Sequence, residues 1–123
     1  MKIAEVSQRY CISPDTLRYY ERIGLIPTVN RNGSGIRDYN ELDVRRVEFI
    51  KCMRSAGLPV EVLIEYVGLV QQGDGTIEAR KEILIEQREQ LVVRMAEMQK
   101  TLDMLDYKIK VYENAVLKRE KGI

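Results

Sequence analysis

The 123-residue sequence contains no histidine and only two cysteines, Cys11 and Cys52. Without histidine, no imidazole is available as a general acid, a general base or a metal ligand. The two cysteines form no close pair and match no zinc-ligand spacing, so we expect no metal site built from protein ligands. The sequence also has no nucleophile–base pair and no phosphate-binding glycine loop. These absences count against an enzyme, and we expect no cofactor.

Long apolar runs are missing as well. Charged residues make up 32% of the chain, and no apolar run approaches the roughly 20 residues that a membrane-spanning helix requires. The N-terminal segment M-K-I-A-E-V lacks the apolar core of a signal peptide. We therefore expect a cytoplasmic protein without membrane contact, large enough for one small domain plus an extension.

Charge is distributed unevenly along the chain. Residues 1–58 carry ten lysines and arginines against seven acidic residues, whereas residues 59–123 carry ten against twelve. Eight of the ten basic residues in the first part are arginine, whose planar guanidinium suits bidentate contacts with phosphate and guanine. This modest asymmetry agrees with nucleic-acid binding by the N-terminal part but does not establish it.

The segment S-P-D-T-L-R-Y-Y-E-R-I-G-L-I-P, residues 13–27, predicts a short helix of about ten residues. Ser13 is a good N-cap, Pro14 suits the first helical position, and Gly24 suits the position just after the end. One side is apolar, through Leu17, Tyr20 and Ile23. The other faces carry polar and aromatic side chains that suit phosphate oxygens and base edges: Thr16, Arg18, Tyr19 and Arg22. The alternative is a solvated face on an ordinary surface helix.

A helix-turn-helix is predicted from the preceding residues. Helical spacing of Ile3, Val6 and Tyr10 indicates a first helix from about Lys2 to Arg9. A turn at residues 11–12 then leads into the Ser13 helix, which would enter the major groove. We expect Cys11 to be a small buried residue in this turn.

Residues 28–38 break the helical pattern with the turn sequence R-N-G-S-G. The flanks, residues 28–29 and 36–39, could pair as a two-stranded ribbon. In a winged helix-turn-helix this ribbon is the wing, and Arg31 and Arg37 would reach the DNA backbone or minor groove. The alternative is a flexible surface loop whose arginines are incidental.

Two further helices are predicted after the wing. Asn40 suits the N-cap of a third helix, from Glu41 to Ala56, and a fourth helix runs from Val60 to about Val70. The third helix has an apolar face for the core: Leu42, Phe49, Ile50 and Met53. Its remaining surface is basic, and Arg54 is a further candidate for a phosphate contact.

A long helix capped by Thr76 follows a glycine-containing linker at residues 71–75. A sustained 3.5-residue repeat runs through Leu84, Arg88, Leu91, Met95, Met98, Leu102, Leu105, Ile109, Tyr112 and Val116. All of these except Arg88 are apolar, which is typical of a coiled coil. A single helix of roughly 60 Å has no core to cover this seam, so we expect a second copy to cover it. The alternative is a solvated single helix.

The run T-L-R-Y-Y-E-R-I-G-L-I-P, followed by Arg31 and then G-I-R-D-Y at residues 35–39, resembles the N-terminal DNA-binding domain of the MerR family of transcriptional regulators. The resemblance covers roughly residues 1–70. It implies a mainly α protein with a winged helix-turn-helix at 1–70, a linker at 71–75 and an antiparallel coiled-coil dimerisation helix at 76–119. The DNA contacts that it implies are Thr16, Arg18, Tyr19, Tyr20, Arg31, Arg37 and Tyr39. The hydroxyls of Tyr20 and Tyr39 could point at phosphates while their rings pack.

The resemblance also implies a mechanism. A homodimer would bind a palindromic promoter operator and would bend and untwist DNA whose two promoter elements are too far apart, acting on RNA polymerase indirectly. Nucleoid association in a bacterial-type cytoplasm would follow. Two alternatives stay open: an architectural protein similar to recombination directionality factors, and a coiled-coil adaptor with a degenerate DNA-binding domain.

Cys52 is the candidate effector-sensing residue. Beyond Tyr112 we expect neither the cysteine-containing metal loop nor the ligand-binding domain that some family members carry. A single cysteine at this point of the third helix resembles the subgroup that responds to aldehydes and other electrophiles. Nearby Lys51 and Arg54 could favour its thiolate, whereas its place near the helix C-terminus disfavours it. The alternative is a small residue packed beside its neighbours on the helix.

Overall fold

The computed structural model describes the backbone of residues 1–120 and the side chains of residues 1–116. In this part of the chain five α-helices follow one another: α1 (Ile3–Tyr10), α2 (Pro14–Arg22), α3 (Glu41–Ser55), α4 (Val60–Gln71) and α5 (Ile77–Glu120), with a 3₁₀ turn at Asp74–Thr76. Within the described residues there is no β-strand, only one isolated antiparallel bridge after α2. The chain divides into two compact units, Met1–Ile85 and the part that begins at Glu86.

The ends of α2 and α3 are fixed by local signals that the sequence displays. The backbone N–H of Thr16 donates to Ser13 Oγ at 3.1 Å, and Pro14 opens α2. At α3, Asn40 Oδ1 accepts from the N–H of Asp43 at 2.8 Å, while the Asp43 carboxylate accepts from the N–H of Asn40 at 3.0 Å. This reciprocal capping box satisfies two N–H groups that the first helical turn leaves free. The predicted N-caps are therefore confirmed.

A single hydrophobic core lies in the N-terminal unit. It collects buried side chains from α1 to α4 and from the segment between α2 and α3: Val6, Ile12, Leu17, Leu25, Ile26, Val29, Tyr39, Val44, Val47, Ile50, Leu58 and Leu63. Tyr39 is the largest side chain that is fully enclosed, and Leu17 of α2 is fully enclosed as well. Both α2 and α3 contact α1, and the core joins all three to the segment between α2 and α3.

Two sequence-based predictions of burial are wrong. Cys11 is exposed because it ends α1 in the left-handed conformation, with φ at 55°, and Ile12 is buried in its place. Leu42 is also exposed, because Val44, Val47 and Ile50 form the inward face of α3. In each case the chain turns a neighbouring apolar residue inward, which composition alone does not show.

The junction between α4 and α5 is a short hydrogen-bonded turn. Helix α4 extends to Gln71, and Gly73 follows with φ at 93°. The hydroxyl of Thr76 donates to the carbonyls of Leu69 (2.7 Å) and Gly73 (2.8 Å). Thr76 therefore hydrogen-bonds the Leu69 carbonyl near the end of α4, and α5 begins at Ile77, directly after the residue predicted to cap it.

Helix α5 exposes nearly all of its apolar side chains. The predicted seam residues are exposed, except for the half-buried Leu91. Met104, Tyr107 and Val111, which lie outside the seam, are exposed as well. In the described part of the chain, no helix is both long and apolar enough to cross a bilayer.

Candidate nucleic-acid interface

The outward face of α2 presents the predicted polar residues. Arg18 lies here with its Nη1 atom 2.8 Å from Asp15 Oδ1, in a pair whose carboxylate is almost fully exposed. Such a surface pair is weak, so Arg18 can exchange this carboxylate for a DNA phosphate at little cost. The hydroxyl of Thr16 lies 2.8 Å from Ser13 Oγ, at the first turn of the same helix.

Tyr19 lies on the same helix and is 44% exposed. The guanidinium of Arg22 sits 5.4 Å from the centroid of its ring, within the range of a cation–π contact. Arg22 is absent from the DNA contacts that the family resemblance implies, although its spacing of three residues from Tyr19 places both on one helix face. The pair adds a positively charged, aromatic element to this surface.

The other two tyrosines among the predicted DNA contacts, Tyr20 and Tyr39, pack against the core or within it. Tyr20 is half-buried against the core. Tyr39 is 1% exposed, and its hydroxyl is buried without a hydrogen-bond partner. Burial raises the pKa of the Tyr39 phenol above its ordinary value of 10.0, although the nearby charge of Arg37 acts in the opposite direction. Tyr39 therefore has the packing role that the sequence left open, and its hydroxyl does not reach the surface.

The wing, residues 30–38, is a short hairpin. The N–H of Asp38 donates to the carbonyl of Asn30 at 2.7 Å, and the N–H of Asn32 donates to the carbonyl of Ile36 at 2.8 Å. The side chain of Asn32 accepts from the N–H groups of Ser34 and Ile36 across the tip. The expected pairing of residues 28–29 is wrong, because Val29 is drawn into the core.

The two wing arginines have different surroundings. Arg31 is exposed and donates from Nη1 to the carbonyl of Gly35 at 2.9 Å, so it stays on the wing itself. Arg37 donates from Nε to Glu21 Oε1 at 2.9 Å. The side chains of this ion pair are only 19% and 12% exposed, respectively. Sequence reasoning missed Glu21, because its partner lies 16 residues away along the chain.

The basic residues at the end of α3 bind backbone carbonyls. Arg54 donates from Nη1 to the carbonyl of Leu58 at 2.8 Å, and Lys51 donates from Nζ to the carbonyl of Tyr10. Arg54 thus has a structural contact in the turn after α3. Cys52 is exposed, so the alternative of a packed cysteine is wrong. Lys51 and Arg54, the two cations expected to favour its thiolate, donate to these carbonyl groups instead.

Comparison with known families gives two matches. The profile described as "MerR HTH family regulatory protein" matches residues 1–68, and the profile described as "MerR, DNA binding" matches residues 44–107. The chain belongs to the MerR family. The predicted family and the predicted fold class are therefore confirmed, and so is a DNA-binding transcriptional regulator as the functional class.

Individual relatives of this MerR protein agree with the family assignment. The HTH-type transcriptional regulator AdhR of Bacillus subtilis is 56% identical over 92 residues, which are 75% of this chain and 66% of AdhR. An HTH-type transcriptional regulator of Haemophilus influenzae is 30% identical over 112 residues, 91% of this chain and 83% of that protein. The aligned segment thus spans slightly less than two thirds of AdhR and most of the second relative.

Solved structures share the fold over almost the whole chain. A MerR family transcriptional regulator from Listeria monocytogenes superposes with a TM-score of 0.93, at 44% identity, covering 99% of this chain and 92% of that one. HiNmlR, described as a MerR family regulator lacking the sensor domain and bound to promoter DNA, superposes with a TM-score of 0.85 at 29% identity. That match covers 93% of this chain and 90% of HiNmlR.

Proposed function

We propose that this MerR protein binds a palindromic promoter operator as a homodimer and activates or represses transcription by deforming the DNA. The observation that carries the proposal is the outward face of α2, on which Arg18 and Tyr19 are exposed beside the half-buried Thr16. The ion pair between Glu21 and Arg37 attaches the wing to the same helix. An α-helix with an attached ribbon can read the major groove and contact the adjacent backbone.

The seam of α5 supports the homodimer. An apolar stripe at coiled-coil spacing is stable in water only when a partner helix covers it. A second copy supplies an identical stripe, and the resulting twofold symmetry would match a palindromic site. We propose an antiparallel pairing through Leu84, Leu91, Met95, Met98, Leu102, Leu105, Ile109 and Tyr112.

DNA deformation is the proposed means of regulation. The cost of bending and untwisting depends on the sequence being deformed, and contacts from both DNA-binding units would offset it. RNA polymerase would respond to the altered promoter geometry without a direct contact. HiNmlR is bound to promoter DNA, which supports the same class of target here. We therefore propose that the protein is cytoplasmic and associated with the nucleoid.

Sequencing of the genomic fragments that the purified protein retains tests this function. We expect palindromes between promoter elements, and we expect the Arg18→Ala variant to retain them at least tenfold less well. Recovery of recombination attachment sites would instead favour the architectural alternative. Binding to no duplex, even at low salt where phosphate contacts are strongest, would favour the adaptor alternative.

We also propose that Cys52 is the effector-sensing residue. Its exposure allows direct reaction with an electrophile, which a packed thiol would resist. A promoter reporter should lose its response to added aldehyde in the Cys52→Ser variant. The matched control is Cys11→Ser, because Cys11 is the other exposed cysteine. An unchanged response in Cys52→Ser, or an equal loss in both variants, would rule out the assignment.

A further inference from the structure

Glu21 is a carboxylate that the proposed function uses only to attach the wing to α2. It lies on α2 beside the DNA-facing residues, where a negative charge would repel phosphate. It is nevertheless kept almost out of solvent, in an ion pair with Arg37 at 2.9 Å. Since a partly buried carboxylate costs free energy unless its partner is well placed, this pair suggests a specific role for Glu21.

The contact uses only part of the Arg37 guanidinium. Arg37 donates to Glu21 through Nε, and a guanidinium has two further nitrogens with four N–H groups. Among the described residues, the buried polar side-chain atoms without a partner belong to Tyr39, Arg80 and Gln87. Neither Nη atom of Arg37 is among them, and no hydrogen bond joins either one to another described residue. The outer end of Arg37 is therefore accessible while its inner end is fixed.

The backbone beside Arg37 is fixed as well. The N–H of Tyr39 donates to the carbonyl of Met1, and the Met1 amino group donates to the carbonyl of Tyr39, both at 2.8 Å. The Tyr39 ring is enclosed in the core. By contrast, residues 31–36 at the tip of the wing are exposed. Arg37 thus lies where the wing joins the core, and Glu21 connects its side chain to α2.

We propose that Glu21 is a positioning residue for DNA recognition, which holds Arg37 so that its two Nη groups bind one phosphate at a fixed distance from the reading face of α2. This inference rests on the proposed function. A guanidinium oriented in advance loses less side-chain entropy on binding phosphate. A fixed distance between a phosphate contact and the reading helix also sets the register of that helix on the bases. Glu21 therefore contributes to sequence preference without touching DNA.

The effect of one substitution on DNA binding distinguishes this role from simple electrostatics. Glu21→Gln removes a negative charge from the DNA-facing side, so electrostatics alone predicts tighter binding to every duplex. Positioning predicts that the variant loses preference for its operator. The wild-type protein first selects its preferred duplex from a random library. The quantity to measure is the affinity for that duplex divided by the affinity for a scrambled duplex of equal length. We expect this ratio to fall by about tenfold in Glu21→Gln.

The matched control is Asp38→Asn, which removes an acidic charge from the base of the wing, where Asp38 pairs with the Met1 amino group and is largely exposed. We expect its ratio to stay within about twofold of the wild-type value. In an Arg37→Met background, Glu21→Gln should have no further effect, since Glu21 acts through Arg37. Arg37→Lys keeps a charge opposite Glu21 but cannot bind phosphate with two groups, so it should also lose about tenfold.

An unchanged or increased ratio in Glu21→Gln would overturn the inference, as would an equal loss in the Arg37→Met background. If Glu21→Gln does not fold, as judged by its thermal unfolding midpoint, the Arg37→Lys result decides, and an unchanged ratio there overturns the inference. If the wild type selects no preferred duplex, the proposed function fails instead. The two failures are therefore distinguishable.

Discussion

The N-terminal unit and the part of α5 from Glu86 onward use apolar side chains in opposite ways. In the first, side chains such as Leu17 and Ile50 are enclosed by their own chain. In the second, Met98 and Leu102 are exposed despite their regular spacing. The N-terminal unit thus carries its own core, whereas the seam of α5 is exposed and is the surface that we propose for the homodimer. Substitutions that separate these two uses test the comparison.

The largest change in free energy is expected for dimerisation, on substitution of Met98, which lies on the seam. A glutamate here would put an unpaired charge into the dimer contact in two copies. We expect Met98→Glu to weaken dimerisation by about 4 kcal/mol, roughly a thousandfold. Analytical ultracentrifugation over a concentration series measures this change.

Met104 supplies the matched control for this substitution. Met98 and Met104 are each 70% exposed, but Met104 lies outside the seam on another face of the helix. Met104→Glu should leave the dimer constant within about threefold. Equal weakening by both substitutions would contradict the assignment of the seam.

A smaller effect is expected in the core of the N-terminal unit. Ile50 is 1% exposed, whereas Ile36 at the tip of the wing is 46% exposed. Ile50→Ala should lower the free energy of unfolding by about 3 kcal/mol through lost burial and the cavity left behind. Ile36→Ala should change it by less than about 0.5 kcal/mol. Urea unfolding of each variant supplies the numbers, and similar losses in both would show that this unit lacks a core of its own.

The smallest effect concerns the hydroxyl of Tyr39. Tyr39→Phe removes a buried group without a hydrogen-bond partner, so we expect a gain in the free energy of unfolding of about 1 kcal/mol at neutral pH. Tyr19→Phe, at an exposed position, should change nothing. A loss of stability in Tyr39→Phe would show that the hydroxyl does have a partner.

The same tyrosine predicts a pH dependence. Burial raises its pKa in the folded state above the ordinary 10.0, so above about pH 10 the unfolded chain releases this proton more readily. The stability associated with this group is complete below that pH and is lost as the pH rises through the folded-state value. Tyr39→Phe should therefore lose less stability than the wild type between pH 9 and pH 11, measured by unfolding midpoints.

Local signals explain how much of the fold the sequence predicts. The N-caps Ser13 and Asn40 act on N–H groups three residues away, so the segments that form α2 and α3 display their own starting points. The spacing of apolar residues on α5 is equally local. Contacts between distant segments were not predicted, and Glu21 with Arg37 is the clearest case. The seam residues and the DNA contacts stay predictions, because the comparisons support the family and not individual side chains.

The sequence by itself determined the family, the order of the helices, their caps and the 3.5-residue repeat of α5, because each of these is specified by residues within a turn or two of one another. Only the tertiary structure decided that Tyr39 is enclosed, that Arg54 binds the carbonyl of Leu58, and that Cys11 and Cys52 are exposed. The physical reason is that burial and partner choice depend on which surfaces meet in space. A polar side chain has several possible partners in the sequence, and packing leaves one of them within reach.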